Sequence, residues 1–238
     1  MGFVRDGNTA RALPYPEPEF PDKGTEVSPS PAPEQPHHTI RLQRTDWVIA
    51  ALLTLSVGMA CLFIADMIPA FLLQSMDFWF ESDTVREVSN MTSTTDDHSR
   101  TSVHPLFSIL TFVPVYLVKH ALAIPPLQAV LYVTSILGGI WMGTLYLLLR
   151  LLGCRTLDAS VFTSLGLSSA SAIFWLPVPN SYTWGSWSVM ISLALLLLAE
   201  QHRVGALSYV LASAFTLSIT VTNWMAGLLT TLARWPFK

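Results

Sequence analysis

From Ala159 to Ala199 the chain carries no charged side chain. A helix needs about 20 apolar residues to cross the hydrocarbon core of a bilayer, so this run is too long for one crossing. Pro177, Pro179 and Asn180 interrupt it, and proline breaks a helix by removing a donor and clashing with the preceding turn. The run therefore predicts two spans, near 157–176 and 183–200. The uncharged stretch from Trp47 to Ala65 predicts a span near 46–73, and that from Leu127 to Leu149 one near 127–150. Val204 to Ala233 is long for one span and short for two. It predicts a span near 204–221, with Thr222-Asn223 as a break before a sixth span at 224–238, which the sequence leaves open. Backbone inside lipid must satisfy its own hydrogen bonds. The expected fold is therefore all-α, a polytopic transmembrane helix bundle. Composition agrees: 51% of residues are hydrophobic and 12% charged, about half the charge of a soluble domain. The lipid bilayer is the first expected partner, and no nucleic acid is expected.

Residues 1–40 differ in kind. They hold half of the prolines, in a run of Pro, Glu, Ser and His. Such a segment buries too little apolar surface to offset its ordering entropy, which predicts a disordered cytoplasmic tail. It lacks the apolar core of a secretory signal peptide. The transmembrane domain is expected over 41–238. Cys61 and Cys154 are too few for a disulfide framework or a zinc cluster and read as packing residues.

Pro105 to Val118 is apolar but short, with Pro114 inside it. That length suits a helix at 105–118 lying in the interface rather than crossing. Cytoplasmic loops carry an excess of Lys and Arg. If 105–118 does not cross, Arg41, Arg44, Arg150, Arg155 and Arg203 share one side, the cytoplasm. Residues 75–126 then form a large extracytoplasmic loop with only Arg86, Arg100 and Lys119. Trp79, Trp175, Trp184 and Trp187 fall at the outer interface, where aromatic belts form.

That loop is where chemistry is expected, since functional residues concentrate on loops held by a rigid scaffold. Glu81-Ser82-Asp83 sets two carboxylates one residue apart, on one side of an extended backbone. Such a pair can act as a general base or hold a divalent cation; the plain alternative is a solvated acidic loop. His98 and His104 add two titratable groups. Arg100 offers planar, bidentate contacts to a phosphate. His98, Arg100 and His104 form the candidate substrate-binding set, and no metal motif is present. Asp66, near the outer end of the first span, is an ionisable group at the membrane and so a weaker candidate. Asn180, Tyr182 and Asn223 can line a pocket facing the loop or satisfy turns. Asn90-Met91-Thr92 is a glycosylation sequon. Gly138, Gly139 and Gly143 read as helix packing.

The order of these pieces resembles the amino-terminal half of the GT-C superfamily of integral-membrane glycosyltransferases, which includes protein O-mannosyltransferases and the lipid A aminoarabinose transferase. The residues that carry the resemblance are Glu81-Ser82-Asp83, His104-Pro105-Leu106-Phe107, the turn from Pro177 to Tyr182, and Leu217 to Asn223. It covers roughly 46–238. The family usually has Asp-Glu and His-Pro-Pro where this chain has Glu-Ser-Asp and His-Pro-Leu, and about twice as many spans. The resemblance implies transfer of a sugar from a polyprenyl-phosphate donor at the outer face of a bacterial plasma (inner) membrane, the N-terminus being cytoplasmic. It implies Asp83, with Glu81 as alternate, as the carboxylate that acts as base or positions the acceptor. It also implies that His104 lines the active-site cavity. A truncated or inactive relative is one form of this expectation. The alternatives are a transporter or flippase module and a non-catalytic membrane scaffold.

Overall fold

A computed structural model describes residues 42–74, 83–95, 101–201 and 204–234. Glu81, His98 and Arg100 lie outside the described residues, as do the 1–40 segment and Trp79. Among the described residues all regular structure is helical: α1 (Arg44–Met67), α2 (Ala70–Gln74), α3 (Thr84–Thr92), α4 (Phe107–Leu122), α5 (Pro126–Leu151), α6 (Thr156–Leu167), α7 (Ala170–Trp175), α8 (Ser181–Gln201), α9 (Ala206–Ile219) and α10 (Val221–Arg234).

Three of these, α1, α5 and α8, are long and apolar enough to cross a membrane. At about 1.5 Å per residue, the 24 residues of α1 and the 26 of α5 exceed the hydrocarbon thickness of about 30 Å. Their outward faces carry large apolar side chains, including Leu52, Leu55, Met59 and Phe63 on α1. Small and polar residues sit inside, among them Ser135, Thr163, Ser188 and Ser192. Apolar side chains outside and hydroxyls inside mark a membrane-associated protein, since a soluble surface does not expose so continuous an apolar face.

The remaining predicted spans are built differently. The 157–176 run is broken into α6 and α7 at Ser168-Ser169. Both hydroxyls turn back onto carbonyls, Ser168 onto Leu165 at 2.9 Å and Ser169 onto Gly166 at 2.7 Å. Ser169 then caps α7 by accepting from the Ala172 amide at 3.2 Å. The 46–73 run divides at Pro69 into α1 and α2. The run after Val204 forms two 14-residue helices, α9 and α10, with the break at Thr220 rather than at Thr222-Asn223.

The best-packed seam joins α1 and α5, which run antiparallel. Asp46 at the start of α1 meets Arg150 at the end of α5, while Gly58 lies beside Ser135 and Gly139. Ala50, Thr54 and Gly58 recur every fourth residue and face Ser135, Gly139 and Gly143 at the same spacing. A methyl group on Gly139 would lie against the Thr54 carbonyl and 3.1 Å from the Gly58 Cα. Only glycine allows that approach, as in small-residue seams between membrane helices.

Because α1 and α5 are antiparallel, the chain leaves α1 and enters α5 at the same end. There α4 buries Phe107, Thr111 and Val115, one face at i, i+4, i+8. Phe107 and Val115 join one apolar cluster with Met91 of α3, Ala129, Val130 and Val133 of α5, and Ile219 of α9. The helix stops at Ala123 in the left-handed region (φ 51°). Pro125-Pro126 then starts α5, where a missing amide costs nothing.

Candidate functional site

At the end of the molecule where α3 and α4 pack lies a cavity of about 940 Å³. Most of its walls come from four separate stretches of sequence. Asp83, Arg86 and Glu87 enter from the start of α3, and Val103 and His104 from the segment before α4. Trp175, Pro179, Asn180, Tyr182 and Thr183 enter from the α7–α8 turn, and Thr220, Thr222 and Asn223 from the α9–α10 break. Trp141 of α5 and Ser169 of α7 complete the lining toward the bundle.

Each wall has a local cause. Asp83 sits at the N-cap of α3, its carbonyl accepting from the Glu87 amide at 2.9 Å. Its carboxylate pairs with Arg86 one turn later, and the pair is partly exposed to the cavity, Asp83 at 30% and Arg86 at 19%. The acidic residue the sequence singled out is thus held by a guanidinium that sequence reasoning counted only as a loop charge.

Asn180 is nearly buried, 3% exposed, and its amide is fully used. It donates to the carbonyls of Trp175 (2.6 Å) and Val178 (2.5 Å) and accepts from the Thr183 amide (2.8 Å) and hydroxyl (3.1 Å). It therefore fixes the turn that the prolines begin and caps α8. The fixed turn sets Tyr182, 70% exposed, edge-on to Trp175 with ring centroids 5.8 Å apart. Two aromatic surfaces and several hydroxyls around one space suit a ligand with both apolar faces and polar edges. Trp141 donates to Ser186 at 2.8 Å, tying α5 to α8 beneath the cavity.

His104 is held by the α9–α10 break. Backbone bonds flank it: the Leu106 amide donates to the Ser218 carbonyl at 3.0 Å, and the Val221 amide to the Val103 carbonyl at 3.0 Å. Thr220 at the break is extended (φ −155°, ψ 136°). Its hydroxyl lies 2.9 Å from His104 Nδ1, which is also 2.8 Å from the Ile219 carbonyl. These two stretches, more than a hundred residues apart in sequence, are among those that carried the resemblance.

Of the five candidates named from sequence, Asp83 and His104 both line this cavity; Glu81, His98 and Arg100 lie outside the described residues. Asp66 is exposed near the end of α1 and is not part of the lining. Among the described residues no group of three or more His, Cys, Asp or Glu stands close enough to hold a metal ion. Asn90, the asparagine of the sequon, is 6% exposed within α3.

A second polar cluster, at the opposite end, was missed altogether. Asp46 is completely buried. Arg150 donates to it through Nε at 2.7 Å and through its second terminal nitrogen at 3.3 Å. The Tyr146 hydroxyl donates to it at 3.1 Å and the Gln43 amide at 2.8 Å. Arg150 also donates to the Cys154 carbonyl. The available signal was the opposite charge at the same-side ends of the first two long apolar runs.

Comparison with protein-family models, with curated proteins and with solved structures finds no match to this chain.

Proposed function

We propose that this chain is a multi-pass membrane glycosyltransferase of GT-C type that takes a sugar from a polyprenyl-phosphate donor at the outer face of the plasma membrane. One observation carries the proposal. The four sequence stretches on which the resemblance rests, around Asp83, His104, Asn180 and Thr220, each contribute lining to the same cavity. Nothing in hydropathy requires four distant stretches to meet.

The antiparallel α1–α5 pair supports the topology. With α1 and α5 both crossing, residues 68–125 begin and end on one side, which leaves α4 as a non-crossing helix in a large loop. Arg44, Arg150 and Arg155 then lie at the opposite end, and the excess of basic residues there makes that end cytoplasmic. The cavity faces outward, beside the headgroups that a polyprenyl-phosphate donor occupies. In this reading Asp83, aligned by Arg86, positions the acceptor, and Trp175 and Tyr182 contact the sugar.

The Asp83–Arg86 pair favours a second reading, a binding cavity on a non-catalytic membrane scaffold, because the carboxylate is already engaged by a guanidinium of its own helix. One experiment separates the two. The full chain is reconstituted in proteoliposomes with polyprenyl-phosphate mannose or polyprenyl-phosphate aminoarabinose, and release of polyprenyl phosphate is followed. Catalytic transfer, with water as the acceptor of last resort, predicts release that grows with protein and falls in Asp83→Asn. Saturable donor binding without release establishes the scaffold reading instead.

A further inference from the structure

The hydrogen bonds of His104 decide which of its two nitrogens faces chemistry. A backbone carbonyl can only accept, so the 2.8 Å contact with the Ile219 carbonyl makes Nδ1 the protonated nitrogen. The Thr220 hydroxyl, 2.9 Å from the same nitrogen, accepts the other share of that proton. In the neutral ring Nε2 therefore carries the lone pair. Nε2 makes no hydrogen bond among the described residues, and the ring lines the cavity. Backbone bonds on both sides of His104, through Val103 and Leu106, hold the ring's position. A histidine whose Nδ1 is fixed by a carbonyl, whose Nε2 has no partner among the described residues and whose ring lines a cavity has the arrangement of an oriented proton acceptor.

We propose that His104 is the general base of the cavity and accepts the acceptor's proton at Nε2, with the Ile219 carbonyl and the Thr220 hydroxyl as positioning groups. The proposal rests on the glycosyl-transfer reading above. In the step it describes, the acceptor O–H bond breaks and its proton moves to Nε2. The acceptor oxygen forms a bond to the anomeric carbon. The bond from that carbon to the phosphate oxygen breaks, and its electron pair leaves on the polyprenyl phosphate. The imidazolium then returns its proton to water. Asp83, already engaged with Arg86, is left to orient the acceptor.

Two measurements on the full chain test this. In nanodiscs containing protein with ¹⁵N-labelled histidine, the His104 resonances, assigned by their loss in His104→Asn, should report a proton on Nδ1 and none on Nε2 in the neutral form of the ring. A ring protonated only on Nε2 overturns the assignment. In proteoliposomes, polyprenyl phosphate release from polyprenyl-phosphate mannose or polyprenyl-phosphate aminoarabinose is compared for wild type, His104→Asn and His104→Gln. Asparagine retains a donor near the Nδ1 position, so the contact with Ile219 and the melting midpoint survive while the base is lost. Release should fall by about 10²–10⁴-fold in both variants, with less change in KM than in kcat. A donor-active wild type with His104→Asn within a few-fold of it overturns the base role alone. A wild type that releases nothing from either donor overturns the transfer reading, and this role with it.

Discussion

The two ends of the molecule solve the problem of polar groups beside lipid in opposite ways. At the end where α1 begins, Asp46 is fully buried and shared among Arg150, Tyr146 and the Gln43 amide. Both oxygens of that carboxylate are engaged within the protein. At the other end, Asp83, Arg86, His104 and Tyr182 surround a space of about 940 Å³ and remain partly exposed to it. The first arrangement fixes helices; the second holds functional groups at the rim of a void. Polarity near a membrane is thus no guide to function unless its hydrogen bonds are followed to their ends.

The sharpest way to break this contrast is to remove Asp46. Asp46→Ala leaves the partly buried Arg150 guanidinium without its carboxylate; breaking a buried pair from one side costs up to about 3–5 kcal/mol. The melting midpoint in detergent should drop far more than for any single change in the cavity. The Asp46→Leu, Arg150→Met pair, which removes both charges, should recover most of that loss. If the single variant melts like wild type, the cluster is not a structural lock.

Gly139→Ala comes next. Its methyl group would meet the Thr54 carbonyl and the Gly58 backbone, and overpacking of this kind costs about 1–3 kcal/mol. Gly205→Ala is the control, because nothing lies within 4 Å of its added methyl group; equal melting of the two would contradict the close seam.

Asn180→Ala should cost about 1–2 kcal/mol through the lost cap and the carbonyls of Trp175 and Val178 left without their donor. It should also weaken donor binding in the cavity, because the turn that sets Tyr182 loosens. The smallest stability effect is expected for Asp83→Asn. Its pair with Arg86 is partly exposed, so the loss stays below about 1 kcal/mol, while polyprenyl phosphate release falls. A large melting shift without loss of release would make Asp83 a structural cap instead.

How far these features were legible in the sequence follows the range of the interaction that makes them. Three long apolar runs were enough to find α1, α5 and α8, because crossing length is a local property. The Pro177–Asn180 turn was visible for the same reason, and Gly139 announced a close approach. The break at Ser168-Ser169 was not, since hydropathy sees an apolar run and not a hydroxyl bonding back to the carbonyl three residues earlier. Asp46 was overlooked because its partner lies 104 residues away. His104 was picked out by its neighbours Pro105 and Leu106, but the carbonyl that fixes its ring is 115 residues distant. Arg86 carried no motif, and its pairing with Asp83 emerges only once α3 places the two one turn apart.

The most direct measurement of the central claim is the accessibility of position 182. Tyr182 is 70% exposed and lines the cavity, and Tyr182→Cys in a Cys154→Ser background leaves Cys61, which is buried, as the other thiol. Intact cells are treated with a membrane-impermeant maleimide, with and without polyprenyl-phosphate mannose or polyprenyl-phosphate aminoarabinose. Labelling from outside, suppressed by one of these donors, is the expected result. Labelling only after the membrane is permeabilised, or labelling that neither donor changes, would contradict an outward-facing cavity that holds a lipid-linked sugar.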